Sequence, residues 1–146
     1  MGFKIDDWRK KSVPKLGALI KKGVIKKEDV LDWLQTMNEI RYFEDKVFEL
    51  LGQNVIKGAS HLSAGQEAVA TGAAAACDIG DVIGSTHRGH GHCGAIGNKY
   101  AASAEERQTH WNRMMAELMG KQTGYCSGRG GSMHIADVKK GNLGST

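Results

Sequence analysis

A chain of 146 residues, 40% hydrophobic and 25% charged, has the make-up of one small soluble globular domain with room for a sizeable core. Its formal charge of +4 is modest, and its Lys and Arg residues, densest before position 47, form no block that would mark a nucleic-acid footprint. No apolar run approaches the roughly 18 residues of a membrane span, and three cysteines without a signal peptide read as reduced thiols, so a cytoplasmic protein with no nucleic-acid or membrane partner is expected.

In chain order, residues 1–27 form a basic, weakly periodic N-terminal segment that reads as a solvated face, set apart from a domain over 28–146. Asp6 stands where an N-myristoylation signal wants Ser or Thr, and acids among the bases speak against a transit peptide. From about Glu28 to Gln53 the spacing predicts a helix, with Val30, Leu34, Met37, Ile40, Val47, Phe48 and Leu51 on one face and Asp32, Glu39 and Lys46 turned away. Two further helices, over about 64–77 and 104–119, announce themselves by capping boxes, Ser63 with Gln66 and Ser103 with Glu106. The alanines of "AVATGAAAA" leave so little bulk that another backbone can approach closely, and Gly120 is placed to end the later helix. Its stripe of Trp111, Met114, Met115 and Leu118 is core-like. Between these helices "DVIGST" (81–86) reads as a short buried strand. Twelve of the twenty glycines follow Gly80, so the second half reads as loop-rich, with "KQTGYCSGRGGSMHI" as a glycine-rich loop.

Just past that strand, "STHRGHGHC" gathers three histidines, an arginine and a cysteine. A metal site is one reading, since His87, His90, His92 and Cys93 are all possible ligands, with Cys77 or His134 available to join them. Structural zinc sites pair two ligand knuckles, however, and there is no second knuckle. An anion-binding loop is another reading: the Arg88 fork suits a pair of phosphate oxygens, and flanking glycines let amides come close to a ligand. Histidines that merely satisfy buried carbonyls at a turn are a third. The loop "SGRGGSMH" lacks both the dinucleotide fingerprint and the P-loop ending. No nucleophile elbow is present.

Taken together and in order, "IRYFEDKVFELL" (40–51), "KGASHLSAGQEAVATG" (57–72), "STHRGHGHCGAIG" (85–97) and "GRGGSMHI" (128–135) resemble the alpha subunit of thiamine-diphosphate-dependent 2-oxo acid dehydrogenases, the family of the pyruvate, branched-chain 2-oxo acid and acetoin dehydrogenase complexes. The resemblance runs from about Leu31 to the last residue. It implies a three-layer α/β/α thiamine-diphosphate-binding fold of which only the N-terminal portion is present. It places His61 facing the cofactor, puts the family's diphosphate-holding Tyr-Arg pair on His87 and Arg88, and sets His90 near the reacting carbon. His61 and His90 are thus the candidate catalytic residues, with His61, His87 and Arg88 as the candidate cofactor-binding set. The histidine at position 87 departs from the family tyrosine and tilts the reading towards acetoin-type members. Glu67, in "GQEA", is read as structural, and His92 and Cys93 receive no role.

The same resemblance implies that the chain is about the N-terminal third to half of an alpha subunit, truncated or naturally split. The segment that clamps the aminopyrimidine and the Gly-Asp-Gly…Asn motif that holds Mg2+ would then lie elsewhere, so no metal ligand is expected here. The implied partners are the rest of the alpha subunit, a beta subunit, a symmetry-related alpha subunit and a lipoyl acyltransferase core. The implied activity is decarboxylation of a 2-oxo acid, or cleavage of acetoin, with transfer of the acyl unit to lipoamide. Alternatives are a piece of a split transketolase-like enzyme and a non-catalytic metal-binding or assembly module. Because so few strands cannot cover the helices' apolar faces, the isolated chain is expected to aggregate or to stay loosely packed.

Overall fold

The computed structural model describes residues 15–145, so the first fourteen residues of the basic N-terminal segment lie outside the described residues. The chain divides into two compact units, Met1–Asp32 and Trp33–Thr146. The described part of the first contains α1 (Leu16–Lys21), a turn through Gly23 at φ 69°, and the start of α2 (Lys27–Gly52). The second continues α2 and adds α3 (Glu67–Ala76), β1 (Ile83–Ser85), α4 (His90–Tyr100), α5 (Ala104–Leu118), a 3-10 turn at Val138–Lys140 and β2 (Asn142–Ser145).

The long helix expected over 28–53 is α2. Glu28 and Asp29 in its first turn suit the positive end of the helix dipole, and Asp29 accepts a hydrogen bond from the Lys26 N–H at 3.0 Å. Its buried residues, Thr36, Ile40, Phe43, Glu44 and Val47, recur at three- and four-residue steps. The apolar stripe expected there is partly displaced: Leu34 and Phe48 are 51% and 69% exposed, and Phe43 and Glu44 point inward instead. A carboxylate on the core face of a helix needs partners, and it has them in the site described below.

Two connected clusters form the core of the larger unit. One joins Phe43, Val47, Ile56, Cys93, Met114, Leu118 and Ile135; the other joins Ile40, Ala70, Ala74, Ala95 and Ile96. Burying each of the larger side chains contributes about 1.5–3 kcal/mol before the entropy of ordering is subtracted.

The two capping boxes differ in outcome. Ser103 Oγ accepts from the Glu106 N–H at 3.2 Å, and Glu106 reaches back to the Ala102 N–H at 2.8 Å, so α5 starts as the pattern predicts. Ser63 caps nothing on α3, which begins at Glu67 after an N-cap Gln66 that makes no side-chain cap bond. Its hydroxyl turns inward to Glu44. The buried carboxylate is a stronger acceptor than the Gln66 pattern anticipates, and charge-assisted bonds outcompete neutral ones.

"DVIGST" contributes β1, which pairs in parallel with β2, Ile83 opposite Asn142 and Ser85 opposite Ser145, with an irregular register between. Parallel strands need a crossover, and α4 and α5 lie on it. The larger unit therefore combines helices with a small two-stranded parallel sheet, which is compatible with an α/β fold. Gly141 joins the 3-10 turn to β2 at φ 80°, and a Cβ there would lie 2.1 Å from the Asp81 carbonyl oxygen. No described helix is long and apolar enough to cross a membrane.

The histidine cluster opens α4 rather than lying wholly in a loop. Three glycines in "HGHCGAIGNKY" weaken its helical signal. Two of them are required by close packing: a Cβ on Gly94 would meet Trp111 Cη2 at 2.2 Å, and one on Gly97 would meet the His110 ring at 2.0 Å. Helices α4 and α5 thus approach through aromatic rings seated on bare backbone.

Candidate functional site

Thr86–Gly89 leads from β1 into α4, which sets His87 and Arg88 at the positive end of that helix. The Thr86 hydroxyl accepts from the Arg88 N–H at 3.2 Å and so shapes the turn. The half-buried Arg88 guanidinium donates to the Leu62 carbonyl oxygen, which ties the loop to the residue after His61. The rings of His61 and His87 meet edge-on with centroids 4.9 Å apart. Three of the four sequence-predicted site residues, His61, His87 and Arg88, therefore come together.

The His61 ring is half-buried, and its Nδ1 is enclosed without a hydrogen-bond partner among the described residues. Guanidinium donors on Arg88 remain after its bond to Leu62, and the exposed His87 ring is free to donate to an anion. Together they form a donor-rich surface, with an unsatisfied polar atom beside it, of the kind a phosphorylated heteroaromatic ligand complements.

His90, expected near the reacting carbon, is enclosed, with a ring 0% exposed. Its Nδ1 lies 3.0 and 3.1 Å from the two Glu44 carboxylate oxygens, and its Nε2 lies 2.9 Å from Ser132 Oγ. Ser132 Oγ also accepts from the His61 main-chain N–H at 3.1 Å. The Ser63 hydroxyl donates to Glu44 at 2.6 Å and accepts from the Gly91 N–H at 3.0 Å, satisfying one of the unpaired amides at the start of α4. His90 is thus the hub of a closed network that holds His61 from behind. Glu44 and Ser132 were not singled out in the sequence, and Ser63 was read there only as a helix cap. The signal was available for Glu44: it sits four residues after Ile40 and three before Val47, on the buried stripe.

Glu67, at the start of α3, accepts from Arg41 Nε at 2.7 Å and from the Gly65 N–H at 2.9 Å. Partial burial pushes its pKa up, but the Arg41 hydrogen bond and the backbone N–H donors outweigh that and hold it below the usual carboxylate range. His92 Nδ1 bonds Ser85 Oγ at 2.8 Å, and burial lowers its pKa. Cys93 is fully enclosed, and burial pushes its thiol up to about 12. Among the described residues no three His, Cys, Asp or Glu side chains converge on a point that would hold a metal ion.

Residues 35–145 match the profile of the dehydrogenase E1 component family. The chain is 51% identical over 128 residues to the alpha subunit of acetoin:2,6-dichlorophenolindophenol oxidoreductase from Bacillus subtilis, covering 87% of this chain and 35% of that protein. It is 44% identical over 119 residues to the subunit of the same name from Cupriavidus necator, covering 82% of this chain and 32% of that one. It is 39% identical over 114 residues to the pyruvate dehydrogenase E1 component subunit alpha of Rhizobium meliloti, with 78% and 30% covered. The chain spans about a third of the length of these relatives. These matches do not favour the transketolase-like alternative. With its motifs in family order and its profile matched from Gln35 onward, the chain belongs to the dehydrogenase E1 component family.

Proposed function

We propose that this chain supplies the diphosphate-gripping part of a thiamine-diphosphate-dependent E1 alpha subunit, acting on acetoin or a 2-oxo acid and passing the acyl unit to lipoamide. The observation that carries the reading is the convergence of His61, His87 and Arg88: the two imidazoles meet, the guanidinium ties to the residue after His61, and His61 Nδ1 has no partner among the described residues. Thiamine diphosphate, when bound, would supply the nucleophilic-carbon chemistry that a carbonyl substrate needs and that no side chain offers unaided. The chain's own residues position and neutralise. Arg88 and His87 would hold the diphosphate oxygens, Arg88 through charge-assisted bonds. His61 presents Nδ1 towards the cofactor while its backbone is pinned by Ser132. His90 serves by orientation, bridging Glu44 and Ser132.

A Mg2+ ion would take hard oxygen ligands, and the family resemblance assigns these to the part of an alpha subunit that this chain does not span. The three-layer α/β/α fold, the beta subunit, a symmetry-related alpha subunit and the lipoyl acyltransferase core are likewise proposed for the whole assembly, and the cytoplasm as its location. Identities of 51% and 44% to acetoin-type alpha subunits, against 39% to a pyruvate dehydrogenase alpha subunit, favour acetoin over pyruvate or branched-chain 2-oxo acids. Reconstitution of the complete alpha subunit with its beta subunit tests this. Turnover of acetoin should require added thiamine diphosphate and exceed that of the 2-oxo acids. Turnover without the cofactor, or stoichiometric zinc that is lost on His90→Ala and His92→Ala substitution, would overturn it.

A further inference from the structure

The glycine-rich segment after α5 is organised around a single buried carboxylate. Glu117, in the last turn of α5, is 0% exposed. Its Oε2 accepts from the N–H groups of Cys126 at 2.7 Å and Gly128 at 2.9 Å, and its Oε1 from those of Gly130 at 2.8 Å and Gly131 at 3.1 Å. A loop turns four amides inward only by entering left-handed backbone: Ser127, Gly128 and Gly131 have φ of 56°, 72° and 60°. Side chains are excluded on steric grounds as well, since a Cβ on Gly128 would lie 2.4 Å from Gly120 C and one on Gly130 2.7 Å from the His134 oxygen. The loop's glycines are thus explained by the carboxylate they wrap.

The residue that follows this wrapped turn is Ser132, whose hydroxyl holds both the His61 N–H and His90 Nε2. We infer that Glu117 is a positioning residue for cofactor binding: it fixes the loop that sets Ser132, and Ser132 fixes His61. The inference rests on the proposed cofactor site. Only a carboxylate fits, because four donors require an acceptor-only group. Glutamine would turn its NH2 towards two of the four amides, leaving two buried N–H groups unpaired.

The test is made on the complete alpha subunit assembled with its beta subunit, reading thiamine diphosphate affinity by calorimetry, KM for substrate at saturating cofactor, and Tm. Glu117→Gln and Ser132→Ala should each weaken cofactor affinity about tenfold, and the double variant should be no weaker than the weaker single variant, since both act through one chain of contacts. KM at saturating cofactor should be unchanged. A lowered Tm with unaltered cofactor affinity in both variants overturns the inference and leaves Glu117 a stabilising residue only. Additive losses in the double variant overturn it too. If Glu117→Gln does not assemble, Ser132→Ala decides, and wild-type affinity in that variant is a refutation. Arg88→Ala run in parallel separates the two ideas: lost affinity there with none in the other variants sinks this inference alone, whereas unchanged affinity in Arg88→Ala sinks the cofactor site itself.

Discussion

Replacing Gly97 by alanine is the sharpest single perturbation of the packing. The new methyl carbon would sit 2.0 Å from His110 Cε1 and Nε2, so the ring has to move. His110 is 1% exposed, its Nε2 bonded to the Cys93 carbonyl at 3.1 Å and its Nδ1 to the Tyr125 hydroxyl. Overpacking costs about 1–3 kcal/mol, and losing two buried hydrogen bonds adds about 0.5–1.5 kcal/mol each. The sum is about 2–6 kcal/mol, a large share of the 5–15 kcal/mol by which domains are typically stable. Denaturant unfolding of the assembled enzyme reads this directly, with Gly17→Ala on α1 as control, where nothing lies within 4 Å of the new Cβ. Removing the ring should relieve the clash, so Gly97→Ala combined with His110→Ala should be less destabilised than the sum of the singles by at least about 1 kcal/mol. A Gly97→Ala variant within about 0.5 kcal/mol of wild type, or strict additivity with His110→Ala, would refute the packing argument.

Ser103→Ala should cost about 1 kcal/mol as a lost N-cap. Ser63→Ala should cost more, about 1–3 kcal/mol, because it strips a bond from buried Glu44 and orphans the Gly91 N–H; equal losses in equilibrium unfolding would contradict the distinct roles given to the two serines. Burial, with Lys140 adding to it, pushes His110 down to about 3 from an ordinary 6.5. A depressed folded-state pKa means the unfolded chain binds the proton first, so the His110 contribution is intact above pH 6.5 and is lost as pH falls towards 3. The slope is about 1.4 kcal/mol per pH unit for the one proton. In a His110→Gln variant the acid limb of stability against pH should flatten by about that slope, and an unchanged limb would contradict the assignment. With Cys93 at about 12 and fully enclosed, iodoacetamide at pH 8 should label Cys77 and Cys126 in native protein well before Cys93; mass spectrometry showing early Cys93 labelling would count against the described core.

What the sequence disclosed follows from how local the signals are. The helix at Lys27–Gly52 and that at Ala104–Leu118 were legible because periodic apolar residues and a working cap at Ser103 act within one turn. Helix α4 was hidden by its glycines, whose reason is non-local: the rings of Trp111 and His110 occupy the space of their side chains. Ser63 was misread as a cap for the same reason, since its partner Glu44 lies 19 residues away. His87 and Arg88 were visible as a motif, and His61 through family resemblance. The enclosure of His90 depended on Glu44 and Ser132, 46 and 42 residues distant. Nor did any local pattern expose Glu117, whose partners lie 9 to 14 residues further on.

The claim that His87 and Arg88 grip the diphosphate, with His61 facing the same cofactor, is tested most directly by titrating thiamine diphosphate and unphosphorylated thiamine into the complete assembly, wild type and Arg88→Ala. A lost charge-assisted contact should weaken diphosphate binding by about 1.5–3 kcal/mol, leave the affinity for unphosphorylated thiamine unchanged, and leave folding largely intact. Equal affinity of wild type and Arg88→Ala for the diphosphate would contradict the account.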